Sequence, residues 1–315
     1  MNQALSVWAN AAAQDAPPPR ISITVPFYNC AVAPLAQALS RQAGALPGEF
    51  ELIFADDGSP QTHWREALQA VLRDSRVPAQ ILSAPQNLGR SAIRNRLIEA
   101  ARAEHLLFID ADMLPDRDDF LLRYLKLADG AELIYGGRSY QRVPPPAPPF
   151  RLYHAFSLRT ECTPAWQRQR APARYVMTNN LLVRRELLLT QPFAEEYQGW
   201  GYEDTDWAMG LPERDILHID NSASHLGLIE ERTLLAKMDE SAANFLRIAA
   251  RRSAFRQVPA YRAARLAARL PTRWLALLCR QLALLRALPL RLRCAAVQGY
   301  RLAIYARALR QAPRQ

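Results

Sequence analysis

The stretch HLLFIDAD, residues 105–112, is an apolar run that ends in two acidic residues. Its pattern predicts a buried strand followed by a turn that carries Asp110 and Asp112. Two carboxylates two residues apart can present oxygen ligands to a hard divalent cation while leaving positions for phosphates and water. Such a cation would offset charge on a diphosphate leaving group. Acidic residues also end ordinary strands, so the pattern by itself leaves a plain turn open.

Three predicted strands precede this stretch, and helical segments separate them. The strands are ISITVPFY (21–28), FELIFADDGS (50–59) and AQILSA (79–84). Alternation of strands and helices predicts a parallel sheet with covered faces, in which ligands bind beyond the carboxyl ends of the strands. Asp56 and Asp57 lie at that edge. Either could accept a hydrogen bond from a nucleotide base or a ribose hydroxyl, or serve as a turn or cap residue.

The segment NLGRSAIRN (87–95) predicts a glycine turn that opens a helix. Arg90 and Arg94 are one helical turn apart on it and could face an anionic diphosphate. A solvated pair of arginines on a surface helix is the alternative.

A second acidic cluster lies in YQGWGYEDTDW, residues 197–207. Carboxylates such as Glu203 and Asp204 are good partners for vicinal sugar hydroxyls, and the face of Trp200 suits the apolar face of a sugar ring. The same acids would also be favourable in the first turn of a helix that begins at Glu203. Both interpretations can hold together.

These motifs resemble those of one enzyme family. ITVPFYN, ADDGS, NLGRSAIRN and FIDADM occur in the order and approximate spacing seen in family 2 glycosyltransferases, which have the GT-A fold. TNNLLVRRELL followed by GWGYEDTDW resembles the acceptor half of galactosyl- and N-acetylgalactosaminyl-transferases and of chondroitin-polymerase-like enzymes. The resemblance covers about residues 21–227.

The resemblance implies an α/β, GT-A fold with a single mostly parallel central sheet flanked by helices. It implies metal ligation by Asp110, Asp112 and His225, with Mn²⁺ or Mg²⁺ as the cofactor, and His218 is a competing candidate for the histidine. It also implies that Glu203 and Trp200 bind the acceptor sugar and that Asp204 is the base of an inverting transfer. The donor-binding residues that it implies are Pro26, Tyr28, Asp56, Asp57, Arg90, Arg94 and Asp110.

The implied activity is therefore transfer of a hexosyl or N-acetylhexosaminyl group from a nucleotide diphosphate sugar, UDP-linked, to a glycan or lipid-linked glycan in cell-envelope or extracellular polysaccharide synthesis. The alternative is a nucleic-acid- or membrane-binding protein on an inactive GT-A scaffold. Intact acids at 110, 112 and 204 favour the enzyme, so no nucleic-acid partner is expected.

The positive charge is concentrated at the C-terminus. The chain carries a net charge of +10, and residues 251–315 contain 15 arginines and no Asp, Glu or Lys. On a helical wheel Arg262, Arg265, Arg269, Arg273 and Arg280 share one face. Another face is shared by Leu270, Trp274, Leu278, Leu282 and Leu285. This pattern suits the interface of an anionic membrane, and it equally suits a packed helical cap with solvated arginines.

The sequence also predicts four segments along the chain and a cellular compartment. We predict a flexible N-terminal tail (1–20), a nucleotide-sugar-binding half (21–130), an acceptor-binding half (131–239) and an Arg-rich amphipathic helical extension (240–315). The four scattered cysteines form no C-x-x-C pair, which indicates a reducing compartment. The first twenty residues do not resemble a secretory signal. We therefore expect a cytoplasmic protein, either free or peripheral on the inner face of the cell membrane.

Overall fold

The computed structural model describes residues 5–312 and shows an α/β fold with a large central sheet. The strands are β1 Ser6–Ala9, β2 Ile21–Phe27, β3 Phe50–Asp56, β4 Ala79–Ser83, β5 His105–Ile109, β6 Met113–Pro115, β7 Leu133–Tyr135, β8 Arg138–Ser139, β9 Asn180–Arg184, β10 Ile216–His218 and β11 Ala223–His225. The helices are α1 Ala33–Gly44, α2 His63–Arg73, α3 Arg90–Ala100, α4 Phe120–Leu127, α5 Arg151–Thr160, α6 Ala165–Arg168, α7 Arg185–Thr190, α8 Glu203–Ala208, α9 Glu231–Arg251, α10 Pro259–Ala267, α11 Thr272–Leu284 and α12 Leu290–Gln311. Single 3₁₀ turns occur at Ala11–Ala13, Ala128–Gly130, Pro148–Phe150, Pro172–Tyr175, Glu213–Asp215 and Ser253–Gln257.

The large sheet has the strand order β1-β4-β3-β2-β5-β9-β7-β10. Its centre, from β4 through β3 and β2 to β5, is parallel, and β9 runs antiparallel to both of its neighbours. Every residue of β3 and β5 is buried. Strands covered on both faces need continuous apolar runs, which is why HLLFI and FELIFA read as strands in the sequence. The predicted mostly parallel sheet is confirmed.

A second, three-stranded sheet has the order β6-β11-β8. The stretch RDILHIDNSASHLG, residues 214–227, has the pattern of a single last strand, but in the structure it forms two short strands. β10 extends the large sheet beside β7, and β11 pairs with β6 and β8 in the small sheet. A strand only three residues long leaves too little periodicity for its partner to be read from sequence.

The N-terminal segment differs from the flexible tail that we predicted for residues 1–20. Residues 1–4 lie outside the described residues, but β1 pairs antiparallel with β4. Asn10 is buried behind this strand, where its side chain donates to the carbonyls of Leu72, Ser75 and Val77 at 3.0–3.2 Å and accepts from the Ala79 amide at 3.0 Å. An edge strand of four residues gives no sequence signal, because its stability comes from a partner strand far along the chain.

The chain divides into two compact units. The first contains the described residues up to Val143, together with Cys162–Glu196 and Leu211–Gly227, and it includes both sheets. The second contains Pro144–Glu161, Tyr197–Gly210 and the described residues from Leu228 onward. The functional division into donor and acceptor halves stays a prediction.

The second unit is helical and has its own core. The rings of Phe245 on α9 and Tyr305 on α12 stack at 4.2 Å, and buried Glu231 forms an ion pair with buried Arg293, with Oε1 and Nη2 2.8 Å apart. The helical character predicted for residues 240–315 is present, although α9 already begins at Glu231. No helix among the described residues is both long and apolar enough to cross a membrane.

Candidate active site

The first unit brings Asp112 and His225 into direct contact. The His225 Nε2 atom lies 3.0 Å from Asp112 Oδ2. Antiparallel pairing of β6 with β11 sets His225 opposite Met113, the residue after Asp112, and the Leu226 amide donates to the Asp112 carbonyl at 2.7 Å. The small sheet therefore joins two residues that are far apart in the chain.

The Asp112–His225 contact has no space for a side chain at residue 227, which is a glycine. A Cβ atom there would lie 2.2 Å from Asp112 Oδ2 and 3.2 Å from His225 Cε1. The backbone of residue 227 thus closes directly over the carboxylate. The sequence analysis did not select Gly227, because only the folded backbone shows how closely it approaches Asp112.

The donor set suits a divalent cation held by two protein ligands. In an octahedral site with ligand distances of about 2.1 Å, adjacent ligand atoms are about 3.0 Å apart. The carboxylate oxygen of Asp112 and the imidazole nitrogen of His225 have that spacing. Within residues 5–312, no group of three His, Cys, Asp or Glu side chains is assembled to hold a metal. A cation here would therefore take its other ligands from Asp110 after a side-chain movement, from a substrate or from water.

The environment of Asp112 favours its charged form. Burial by itself would raise the pKa of this carboxyl, but the hydrogen bond from His225 and the positive charge of Arg138 outweigh it, and the net pKa is lowered. A carboxylate that stays charged is the form that binds a metal.

Asp110 is held by Arg94. The guanidinium Nη2 donates to Asp110 Oδ1 at 3.0 Å, and only 5% of the Arg94 side chain is exposed. Arg90, one helical turn earlier on α3, is exposed. The predicted arginine pair is thus split: Arg94 neutralises an acid of the site, whereas Arg90 faces solvent.

Asp57 organises the loop that leads into α3. Its two carboxylate oxygens accept from the amides of Leu88 at 2.7 Å and Gly89 at 3.1 Å. Burial raises the pKa of Asp57, and these two hydrogen bonds oppose the rise. Gly58 has φ +76°, and a Cβ atom there would lie 2.3 Å from the Gln86 carbonyl carbon. The turn after β3 and the loop before α3 are therefore pressed together.

Asp56 is fully buried, accepts from the Ser59 amide at 2.9 Å and lies 3.3 Å from Arg65 Nε. The other predicted donor residues lie at the end of β2. Pro26 is half-buried, and the ring of Tyr28 is 49% exposed. Tyr28 therefore offers an open aromatic face at the carboxyl edge of the sheet.

His218, the competing candidate for the metal-binding histidine, forms hydrogen bonds inside the protein with both ring nitrogens. Its Nδ1 accepts from Arg168 Nε at 3.2 Å and its Nε2 donates to the Pro172 carbonyl at 3.1 Å. Burial, together with the charge of Arg168, lowers the pKa of His218 to about 4. Both ring nitrogens are used inside the protein, whereas His225 is the histidine that meets Asp112.

Asp116 is a further residue that sequence reasoning missed. Its carboxylate accepts from the hydroxyls of Ser139 at 2.5 Å, Ser222 at 2.6 Å and Ser224 at 2.5 Å. These contacts tie β6, β8 and β11 together, and β11 carries His225. The two serines of SAS, residues 222–224, were the available sequence signal for this cluster, but they do not indicate which carboxylate accepts their hydrogen bonds.

In the second unit, an unusual backbone precedes the acidic helix α8. Gly199, Gly201 and Tyr202 all have positive φ, at 71°, 91° and 75°. The conformation is costly for Tyr202, which has a side chain. Its ring packs against Phe255 at 5.6 Å and Phe245 at 5.9 Å, and this packing offsets the strain.

The three acids of α8 have different environments. Asp206 is buried between Arg252 Nε at 2.6 Å and Arg251 Nε at 2.9 Å, so it anchors the helix. Glu203 is buried and Asp204 is half-buried. Trp200 is half-buried, and Asn244 of α9 donates to the Gln198 carbonyl at 2.8 Å to hold the loop before it.

The sequence and fold were compared with known proteins. The family model described as Glycosyl transferase family 2 matches residues 22–189. No curated protein sequence matches the chain. The fold is similar to mannosyltransferase PcManGT from Pyrobaculum calidifontis, solved with GDP-Man and Mn²⁺, with a TM-score of 0.58 and 17% identity over 98% of this chain and 91% of that chain.

Two further solved structures are similar. TarS 1-349 from S. aureus, in complex with UDP, has a TM-score of 0.50 and 15% identity, over 92% of this chain and 90% of that chain. Glucosyl-3-phosphoglycerate synthase from Mycobacterium tuberculosis, in complex with Mn²⁺, UDP-Glc and phosphoglyceric acid, has a TM-score of 0.50 and 17% identity, over 76% of this chain and 82% of that chain. At these identities the likeness shows the fold alone. Since the family model covers more than half of the chain, the protein belongs to glycosyl transferase family 2 and is a glycosyltransferase with the GT-A fold.

Proposed function

We propose that this glycosyltransferase is metal-dependent and inverting, and that it moves a hexosyl or N-acetylhexosaminyl group from a UDP-linked donor to a glycan or lipid-linked glycan. Cell-envelope or extracellular polysaccharide synthesis, carried out in the cytoplasm or at the inner face of the membrane, is the proposed setting. The observation that carries the proposal is the Asp112–His225 pair, 3.0 Å apart at the carboxyl edge of the sheet and closed by Gly227.

Asp112 and His225 would hold the cation, with Asp110 as the third proposed ligand. An imidazole among the ligands favours Mn²⁺ over Mg²⁺, which prefers oxygen alone. Mn²⁺ in the structures of PcManGT and glucosyl-3-phosphoglycerate synthase supports this choice. When bound, the cation supplies charge stabilisation for the diphosphate leaving group.

The donor nucleotide would lie along the ends of β2 and β3. The exposed ring of Tyr28 can stack on a base, half-buried Pro26 lies close by in the chain, and Arg90 offers an exposed cation to the diphosphate. Asp57 acts here by shaping the loop before α3, and buried Asp56 supports the turn after β3. UDP in the structures of TarS and glucosyl-3-phosphoglycerate synthase supports a uridine donor, whereas PcManGT was solved with GDP-Man.

The acceptor chemistry is assigned to the second unit. A sugar hydroxyl is a poor nucleophile unless a base takes its proton as the new bond forms. Asp204 would take that proton, Glu203 would bind neighbouring hydroxyls, and Trp200 would cover an apolar sugar face. Attack opposite the leaving diphosphate inverts the anomeric centre. A lipid-linked acceptor would bring the enzyme to a membrane, and residues 251–315 are the part that we propose meets an anionic membrane surface.

The test is release of free nucleoside diphosphate from a panel of nucleotide sugars with and without Mn²⁺. We expect Mn²⁺-dependent release from one UDP-sugar and a loss of at least about 100-fold in Asp112→Ala, since removing a metal ligand removes transition-state charge stabilisation. Asp118→Ala is the matched control, because the Asp118 side chain is 87% exposed in a surface ion pair with Arg41. Its activity should equal that of the wild type.

The base is tested separately with a supplied glycan acceptor. Asp204→Asn should bind donor and Mn²⁺ normally but transfer sugar at least about 100-fold more slowly. Wild-type transfer by Asp204→Asn would remove it as the base. Undetectable binding of every nucleotide sugar would overturn the proposed function as a whole.

A further inference from the structure

Helix α11 is packed with its small residues inward and most of its large apolar residues outward. Its buried positions are Thr272, Ala276, Cys279 and Ala283, which repeat at helical spacing and form one face. Against this face lies α12, where a Cβ atom on Gly299 would come within 2.8 Å of Cys279 Sγ. Small residues allow this close approach of the two helices. Of the larger side chains of α11, Leu275 and Leu284 are partly buried against the core beside this face, and the others are exposed.

The outward face of α11 carries those larger side chains. Trp274 is 73% exposed, and Leu277, Leu278 and Leu282 are also exposed. Trp274, Leu278 and Leu282 are four residues apart, so they form a single stripe along the helix. In a helix that faces water, this pattern would be reversed, with leucine inside and small or polar residues outside.

The chain on both sides of α11 also exposes large apolar side chains. We call this set the leucine face, and it comprises the exposed side chains of Leu266, Leu270, Trp274, Leu277, Leu278, Leu282, Leu285, Leu290 and Leu292. Scattered single leucines on a surface need no explanation, but a set that follows one helix and its flanks marks an interaction site.

The segment that carries the leucine face has only positive charges of its own. Arg262, Arg265, Arg269, Arg273 and Arg280 are exposed, and no acidic residue occurs anywhere in 251–315. A second copy of this chain would bring two arginine-bordered faces together, and their like charges would repel. The complementary partner is therefore a surface that is apolar inside and negatively charged outside.

A cavity beside the leucine face has matching chemistry. Its volume is 630 Å³, and it is lined by Thr272, Arg273, Arg307, Arg310 and Gln311. Three guanidinium groups around one opening suit a phosphate group, which they can bind with paired hydrogen bonds. The cavity adjoins Trp274 in sequence, so an anion and an apolar chain would be recognised side by side.

We propose that the leucine face lies in the interface of an anionic lipid bilayer, with Trp274 and the neighbouring leucines among the acyl chains and the cavity around a lipid phosphate. Amphipathic helices bind in this way when apolar burial and attraction to anionic headgroups act together. Short helices lying in the interface need not cross the bilayer, and no described helix is suited to cross it. This contact rests on the membrane setting of the proposed function and specifies which residues make it. Vesicle binding needs no sugar transfer, so its failure is distinguishable from failure of the transferase activity.

The test is co-sedimentation of the full chain with vesicles of equal parts phosphatidylglycerol and phosphatidylcholine, and with phosphatidylcholine alone. We expect binding to the mixed vesicles that weakens with salt, and at least about tenfold weaker binding to phosphatidylcholine alone. Trp274→Ala should weaken binding to the mixed vesicles by about tenfold or more, because one large apolar side chain no longer leaves water.

Trp166→Ala is the matched control. Trp166 is 61% exposed but belongs to the first unit, so its removal should leave vesicle binding unchanged. Arg273→Gln should weaken binding to the mixed vesicles and have little effect on residual binding to phosphatidylcholine, as expected for a phosphate contact. Circular dichroism should be the same for all variants, since each side chain is exposed or half-exposed.

Three results would overturn the proposal. The wild type could fail to bind either vesicle, or Trp166→Ala could weaken binding as much as Trp274→Ala. A concentration-dependent dimer that Trp274→Ala dissociates, with no vesicle binding, would assign the leucine face to a second copy instead.

Discussion

Replacing Gly227 with alanine tests the Asp112–His225 pair with a single added carbon. The new Cβ atom would lie 2.2 Å from Asp112 Oδ2. Ordinary close contacts between carbon and oxygen are about 3.3 Å, so the carboxylate must move by about 1 Å. Since the obstructed atom is the free end of a side chain that is 40% exposed, rotation toward solvent relieves the clash. We therefore expect a change of less than about 1 kcal/mol in the free energy of unfolding.

The effect on catalysis should be much larger than the effect on stability. Metal sites tolerate deviations of about 0.2 Å in ligand distance, and a displacement of about 1 Å near reacting groups can cost about 100-fold in rate. A 100-fold loss corresponds to about 2.7 kcal/mol of transition-state stabilisation. Gly227→Ala should also require a higher Mn²⁺ concentration for half-maximal activity, because Asp112 no longer stands beside His225.

The assay is nucleoside diphosphate release across a Mn²⁺ titration, with calorimetry of Mn²⁺ binding as a readout that does not depend on turnover. Gly130→Ala is the control, because a Cβ atom at residue 130 would meet nothing within 4 Å. The reasoning is refuted if Gly227→Ala keeps the wild-type rate and Mn²⁺ requirement, since a carboxylate displaced by the new methyl group would then have no role in binding the metal.

Three further predictions concern the groups that support the site. Burial lowers the pKa of His218 from 6.5 to about 4, so the unfolded chain takes up a proton first as the pH falls. Urea unfolding of the wild type should therefore show about 3 kcal/mol of stability lost between pH 6.5 and pH 4. The stability of His218→Gln should lack this loss over the same pH range. Asp116→Asn should lose about 2 kcal/mol in thermal melts and need more Mn²⁺ for activity, and an unchanged Mn²⁺ requirement would limit Asp116 to a role in stability. Asp206→Asn should lower the free energy of unfolding by about 2 kcal/mol, which is less than the loss of a fully buried ion pair because Arg251 and Arg252 reach solvent. The same change should raise the KM for the acceptor. An unchanged KM in steady-state kinetics would show that α8 does not depend on this ion pair.

The strands at the centre of the sheet could be read from local pattern alone. HLLFI and FELIFA are continuous apolar runs, and only a strand covered on both faces needs such a run at that length. Family membership and the GT-A fold could also be predicted from the sequence, because ADDGS, NLGRSAIRN and FIDADM occur in the order and approximate spacing seen in family 2 glycosyltransferases. The short strands β1, β6 and β11 were not accessible, since three or four residues carry too little periodicity.

The candidate site divides in the same way. The sequence identified Asp112 and His225 as residue types that suit a cation, but it left His218 as a competitor. The structure distinguishes the two histidines by their neighbours: Arg168 and the Pro172 carbonyl occupy the ring of His218, while the pairing of β6 with β11 delivers His225 to Asp112. The register between β6 and β11 depends on contacts between distant parts of the chain, so neither strand's own sequence predicts it.

The sequence by itself determined the long central strands, the family to which the chain belongs and the residue types available for chemistry, because these depend on local apolar pattern and motif spacing. Tertiary structure alone decided which carboxylate meets which histidine, why residue 227 must lack a side chain, and which face of α11 is turned outward. Those outcomes depend on atoms brought together from distant parts of the chain. For α11 the apolar pattern was visible in advance, but only packing against α12 shows that the small residues are buried and most of the large ones are left exposed.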